Sequence, residues 1–296
     1  MMAALVHNAV PRHNLPMNVF RVLLWPLHNL RRSAGAQTAP PALQISLEQY
    51  EMLEPHQTVD DGTTEVAYAT PNVFTKWRVD SLFTKEPDTI EWIRGFQADE
   101  VFVDIGANVG MYTIWAAKTR GVRTFAFEPE SQNYALLCRN IVLNGLMEYV
   151  TAYCLALSDS ASYSLLHLSQ FQIGGSCHSF GEKVDHRLEH RDTLLSQGCV
   201  STTLDLLVDQ GVVPAPNHIK IDVDGLEHKV LDGCRGVLAD PRLKSVLVEI
   251  NTNLEQHRKI IADMKSLGFG YSEQQVAQAQ RTEGAFKGVG NYVFLR

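Results

Sequence analysis

The stretch Val101-Phe-Val-Asp104-Ile-Gly106-Ala-Asn108-Val-Gly110 constrains this chain more than any other. An apolar run carrying Asp104 passes into a turn with two glycines and an asparagine, and Met111–Lys118 then follows a helical pattern. That order predicts a buried strand, a tight turn and a helix N-terminus, the unit that opens a parallel α/β sheet. Glycines in such a turn let backbone N–H groups approach a ligand, and the helix dipole favours negative charge there. A nucleotide-like cofactor is the expected passenger. The same turn also occurs in loops that hold nothing, so the reading depends on what the other strand ends carry.

Downstream, Val122–Phe127, Tyr149–Leu157, His218–Asp224 and Ser245–Ile250 read as strands. They alternate with helical patterns over Ser131–Asn144, Thr203–Gln210, Leu226–Leu231 and Leu254–Leu267, and a terminal strand pair ends at Leu295. This alternation argues for a doubly wound, Rossmann-like α/β sheet with right-handed crossovers. Ser164–Leu168 adds a short strand, and Phe171–Gly181, with Gly174-Gly175, reads as a mobile loop. Ahead of the sheet, Leu47–Leu53 is helical, and Val66–Ala69 and Val73–Leu82 are β-like around the turn signal Thr70-Pro71-Asn72. Thr84-Lys85-Glu86-Pro87 opens a helix to Arg94, with a Thr cap and a proline whose missing N–H costs nothing in a first turn. The expected organisation is an N-terminal arm over 1–47, a small α+β subdomain over 48–95 and the main domain over 96–296.

The arm contains no Asp, Glu or Lys and four arginines, leaving −11 on the rest of a chain whose net charge is −7. An acidic body does not suit nucleic acid, which needs a clustered basic surface. Within the arm, Val19-Phe-Arg21-Val-Leu-Leu-Trp25-Pro26-Leu27 is broken by an arginine and a proline and is too short to span a membrane. The plainer expectation is a loosely docked arm after which Ala34–Pro41 is a linker. As a helix, its apolar side would also suit peripheral contact with an anionic membrane, and an acid-poor start would also fit a transit peptide. Five cysteines without metal-like spacing point to a reduced, cytoplasmic setting.

In a sheet of this kind ligands bind beyond the carboxyl ends of the strands. The first strand places Asp104 there, and the second places Glu128, about 20 residues past the turn, where a carboxylate can accept from both ribose hydroxyls. Ala156-Leu-Ser-Asp159 could flank a purine, with Asp159 accepting from its amine. The fourth strand ends at Asp222-Val-Asp224-Gly225 and the fifth at Glu249-Ile-Asn251. Any one of these acids reads equally as a cap or turn residue; together, acids at one rim are costly unless paired or used.

Taken in order, Asp104-Ile-Gly106-Ala-Asn108-Val-Gly110, Phe127-Glu128-Pro129, Ala156-Leu-Ser-Asp159, Thr203-Leu-Asp205 and Ile219-Lys220-Ile-Asp222-Val-Asp224-Gly225-Leu-Glu227 resemble the FkbM family of S-adenosylmethionine-dependent methyltransferases. Thr84-Lys-Glu-Pro87 and Gly174-Gly175 through Ser179-Phe180-Gly181 look like members associated with bacterial surface glycans. The likeness covers roughly residues 65–296, and Asp224 stands where the family often has Glu. It implies a class I methyltransferase sheet, mostly parallel with an antiparallel last strand, S-adenosyl-L-methionine as cofactor, and O-methylation of a hydroxyl on a glycan precursor or related small molecule. By the same likeness, Gly106, Asn108 and Gly110 would hold the methionine portion, Asp104 its ammonium, Glu128 the ribose and Asp159 the adenine. The G-x-x-x-G spacing also departs from the G-x-G-x-x-G expected for NAD.

Methyl transfer to oxygen needs in-line alignment and a group to take the hydroxyl proton. Asp222 is the first candidate, with Asp224, Glu249 and His178 behind it. Lys220, inside a strand, reads first as an ion-pair partner of these acids and second as catalytic. Three rivals stand. Asp222, Asp224 and Glu249 could bind Mg²⁺ in place of a protein base. His186-Arg-Leu-Glu189-His190 fits H-x-x-E-H, a zinc-peptidase pattern if helical. A non-catalytic cofactor-binding protein could use the same fold.

Overall fold

A computed structural model describes residues 45–296; the arm, its amphipathic stretch and the linker lie outside the described residues. The chain divides into a unit ending at Tyr50 and a compact unit over Glu51–Arg296. The first is described only through residues 45–50, where the short helix Leu47–Glu51 begins.

The second unit is built on a six-stranded sheet. Numbering its strands in chain order, β1 is Val101–Ile105, β2 Arg123–Phe127, β3 Val150–Tyr153, β4 His218–Ile221, β5 Ser245–Asn251 and β6 Val289–Leu295. Their order in space is β6-β5-β4-β1-β2-β3. All neighbours are parallel except β5 with β6. This is the doubly wound, mostly parallel sheet with an antiparallel last strand that the resemblance implies. The chain order reverses between β1 and β4, so their carboxyl ends open a crevice at the switch point.

Alternation along the strands sorts side chains onto two faces. Val103, Ile105, Ile219, Ile221, Val246 and Val248 enter one buried cluster, under the helices Leu204–Asp209, Glu227–Asp232 and Glu255–Ser266. Phe102 and Ala126 enter the other, with Ile114 and Trp115 of the helix Met111–Arg120 and with Val66, Tyr68, Val79 and Ile90 from the segment before β1. Buried aliphatic and aromatic side chains are worth roughly 1.5–3 kcal/mol each. Asp104 and Lys220, which are register partners, fall on this second face among apolar neighbours.

Several elements differ from expectation. Val73–Leu82 is not a strand: Val73–Asp80 is a helix, because Asn72 is its cap, accepting from Thr75 N in a capping box. Tyr149–Leu157 is not one strand; after β3 the chain breaks at residues 154–155, and Ala156–Leu157 joins a second, four-stranded sheet with Leu195–Thr202, Ser162–Leu168 and Ser179–Phe180. Leu195–Thr202 escapes pattern reading because its glycine and alternating polar residues leave it largely exposed. The terminal strand pair is a helix, Glu273–Ala279, capped by Ser272, followed by β6 alone. A hairpin, His56–Asp60 with Glu65–Ala69, precedes the capped helix. No helix among the described residues is long and apolar enough to cross a membrane.

Candidate functional site

The adjacency of β1 and β4 builds the floor of the site. Asp104 is 1% exposed; its Oδ2 accepts from Thr113 Oγ1 at 2.5 Å, while Oδ1 has no hydrogen-bond partner. Burial raises the pKa of this carboxyl and Lys220 opposes the shift. Lys220 is 2% exposed, with Nζ 2.8 Å from Asp222 Oδ2 and 5.3 Å from the Tyr112 ring centre. Burial alone would lower its pKa, but Asp222, Asp104 and Glu86 more than offset that and hold the ammonium charged. These three carboxylates favour the ammonium form of Lys220.

The turn after β1 is tied to β2, since Phe127 O accepts from both Gly106 N and Ala107 N at 3.0 Å. Gly106 has φ +79, and a Cβ there would lie 1.9 Å from Asp222 O, so the backbones of the two strand ends nearly touch. Asn108, itself left-handed at φ 52, donates its N–H to Glu128 Oε2 at 2.8 Å and its side-chain amide to Gly175 O at 2.6 Å. Gly110 serves packing: with φ +85 it starts the following helix, and a Cβ would meet Leu137 at 2.4 Å.

Three cavities adjoin this turn. The first is lined by Phe127, Glu128, Pro129, Ala156, Leu157 and Ser158, with Ser176, His178 and Phe180 as its far wall. The second, small, is lined by Asp104, Tyr112, Lys220 and Arg78. The third is lined by Phe74, Trp77, Arg78, Lys85, Arg281 and Phe286 together with Asp224 and Glu249. Gly106, Asn108 and Asp222 border all three, and Asp222 is the ionisable member of that set.

Residues for a nucleoside bearing a charged amino-acid tail are present. Glu128 offers a buried carboxylate at the mouth of the apolar first cavity, and burial pushes its pKa up to about 7. The partnerless Asp104 Oδ1 offers an acceptor to an ammonium in the second. Gly106 borders both cavities. Asp159 instead is exposed, its Oδ1 accepting from Ser160 Oγ at 2.9 Å, and Ser158 takes the place at the cavity wall.

The carboxylates of Asp222, Asp224 and Glu249 converge within 4.8 Å of one another, and each has a protein partner. Asp222 pairs with Lys220, Asp224 Oδ2 accepts from Cys177 N at 2.7 Å, and Glu249 Oε1 lies 3.2 Å from Arg281. Burial, then the charge of Asp222, raises the pKa of both Asp224 and Glu249. His178 lines the first cavity together with Asp222 and Asp224. Its Nδ1 accepts from Ser169 N at 3.3 Å, and burial with Arg191 and Arg78 lowers its pKa to about 4, which leaves the ring neutral.

The segment expected to be mobile is pinned. Asn133 and Asn108 donate to Gly175 O, Arg78 to Gly174 O, and Asn72 to Ile173 O. Arg78, Lys85, Arg281, Phe74, Trp77 and Phe286 escaped sequence reasoning. Arg78 and Phe74 sat in a stretch read as strand, and Arg281 and Phe286 sit where no periodicity exists. Lys85 alone carried a signal, through its Thr-Lys-Glu-Pro context. Thr203 and Asp205, by contrast, serve helices: Thr203 caps Leu204–Asp209, and Asp205 accepts from Gly236 N and Val237 N.

The H-x-x-E-H pattern is not helical, so its two histidines do not share a helix face. Val184 and His190 form a β-bridge, and His186 stacks on Phe286 at 4.2 Å.

Residues 104–271, more than half of the chain, match the methyltransferase FkbM domain. The hexuronic acid methyltransferase AglP of Haloferax volcanii is 27% identical over 180 residues, covering 60% of this chain and 67% of that protein. The methyltransferase FkbM from Methylobacillus flagellatus aligns with TM-score 0.44 and 14% identity over 68% of this chain, which spans 44% of the other's length. A precorrin-6y C5,15-methyltransferase from Geobacter metallireducens gives TM-score 0.41 and 16% identity over 71% of this chain and 86% of its own.

Proposed function

Because the chain belongs to the FkbM methyltransferase family, with S-adenosylmethionine as the methyl donor, we propose that it methylates a hydroxyl of a sugar or glycan precursor, with Asp222 as the group that takes the hydroxyl proton. The observation that carries this reading is the position of Asp222 at the meeting point of the three cavities. The donor supplies an electrophilic methyl on a positive sulfonium. On this reading Glu128 binds the ribose, Asp104 the ammonium, and the apolar wall at Ala156–Ser158 the purine. The aromatic and charged lining of the third cavity, Phe74, Trp77 and Phe286 with Arg78, Lys85 and Arg281, suits the apolar faces and polar edges of a sugar ring. Lys220 holds Asp222 oriented through the 2.8 Å hydrogen bond from its Nζ to Asp222 Oδ2. The hexuronic acid in the relative's name supports a sugar acceptor.

The test is mass spectrometry of products after incubation with S-adenosylmethionine and uronic acids, neutral sugars, lipid-linked sugars and small alcohols. An alkali-stable methyl ether is expected; no transfer to any hydroxyl would overturn the reading. A second reading is methylation of a uronic acid's carboxylate, which Arg78 and Lys85 could hold in the third cavity against the repulsion of Asp222, Asp224 and Glu249 on its wall. It needs no base, and its ester product would be alkali-labile.

Glu128→Ala is expected to weaken S-adenosylmethionine binding about 100-fold, the loss of two charge-assisted hydrogen bonds at roughly 1.5 kcal/mol each. Unchanged affinity by calorimetry would remove the ribose assignment. Hydroxyl donors favour the ionised carboxylate, whose pKa burial has pushed up to about 7. Binding should therefore release a proton, and affinity should rise between about pH 6 and pH 8. Activity is expected to survive EDTA, because each of the three clustered carboxylates already has a protein partner. Loss reversed by Mg²⁺ would transfer hydroxyl activation to the metal.

A further inference from the structure

Behind the clustered carboxylates lies a buried polar pair that borders none of the three cavities. Glu227 and His257 are each 1% exposed. Glu227 Oε1 accepts from Val223 N at 2.9 Å, and its Oε2 lies 3.0 Å from Gly225 N. His257 Nδ1 accepts from Asn251 N at 3.0 Å, so the proton of the neutral ring sits on Nε2, which lies 3.1 Å from Gly225 O and 3.2 Å from Glu227 Oε2. The bonds thus grip Val223 and Gly225, on either side of Asp224, and tie them to Asn251, two residues beyond Glu249.

The gripped backbone is one that would not hold its shape unaided. Asp224 has φ 57, a left-handed conformation that a residue other than glycine holds only where its surroundings enforce it, and Gly225 follows at φ 116, which glycine adopts freely. A carboxyl and an imidazole buried among Val230, Ile260 and Leu231 cost more than apolar side chains of the same volume unless their bonds do something packing cannot. Here they set the spacing of two strand ends.

We propose that Glu227 and His257 are positioning residues that lock the Asp222–Gly225 loop of β4 against the Glu249–Asn251 end of β5, and so fix the carboxylate geometry at the acceptor. The proposal rests on the assignment of that cluster to the acceptor side of the site.

The first test needs no acceptor. Amide hydrogen exchange in Glu227→Ala and His257→Ala should rise in peptides covering 222–226 and 249–252 and stay as in the wild type over the Gly106 turn. Faster exchange throughout, or no change in the two peptides, would overturn the proposal. The second test uses a glucuronate-containing oligosaccharide as acceptor. Both alanine variants should lose about 100-fold in kcat, the scale of a misplacement near 1 Å, and much less than that in S-adenosylmethionine affinity by calorimetry. His257→Gln, which keeps a donor near Gly225 O, should retain more kcat than His257→Asn, which keeps only the acceptor for Asn251 N. The reverse order, or full kcat in both, would refute positioning through the loop. If the wild type does not methylate the oligosaccharide, the acceptor reading fails, while the exchange experiment still decides the positioning role.

Discussion

Asp222→Asn is expected to lower kcat about 10³-fold, in the middle of the range for loss of a general base. The substitution keeps the shape of the side chain and an oxygen 2.8 Å from Lys220 Nζ, so the buried ammonium retains a hydrogen bond, with Asp104 and Glu86 still supplying charge. Folding and S-adenosylmethionine affinity should therefore be spared. What disappears is a basic oxygen at the junction of the cavities, and an amide cannot take a proton from a hydroxyl. The measurement is transfer of labelled methyl under saturating donor, beside calorimetry of donor binding. A fall below about tenfold is too small for loss of a general base; it would assign the proton to Glu249 or Asp224, or favour the carboxylate acceptor, which needs no base at all.

Gly106→Ala should be at least as damaging, through a different route. The residue is held at φ +79, and its new Cβ would sit 1.9 Å from a backbone carbonyl rather than a movable side chain. Either the turn after β1 or the end of β4 must shift. Left-handed strain adds about 1–3 kcal/mol and the overlap a further cost of about 1–3 kcal/mol. Loss of detectable donor binding and a clearly lowered melting temperature are expected. A variant that bound the donor normally would show that the turn and Asp222 are not as closely apposed as described.

What could be seen in the sequence follows the physics of the signals. The strand-turn-helix at Asp104–Gly110 was legible because glycine spacing and an apolar run are local, and Glu128 because its offset from the turn is set by one crossover. Strands β4 and β5 were legible as apolar runs with acids at their ends. Val73–Asp80 was not, because aromatic and β-branched residues favour strands while the helix start is marked by the bond that Thr75 N donates to the Asn72 side chain. The third cavity was invisible because Phe74, Arg78 and Arg281 are brought there from helix and loop by tertiary packing, and no spacing in the chain records that. Asp159 shows the converse: a residue well placed in the pattern turned outward to Ser160.

The pinned segment at 173–178 has a consequence for the order of events in turnover. Ser176 belongs to the walls of both the first and the third cavity, and the neighbouring Cys177 holds Asp224. A wall shared in this way cannot lift for one occupant without loosening the enclosure of the other. With the donor in the first cavity and the acceptor in the third, as proposed, binding of one is expected to change the affinity for the other, and thermodynamic reciprocity makes the two effects equal.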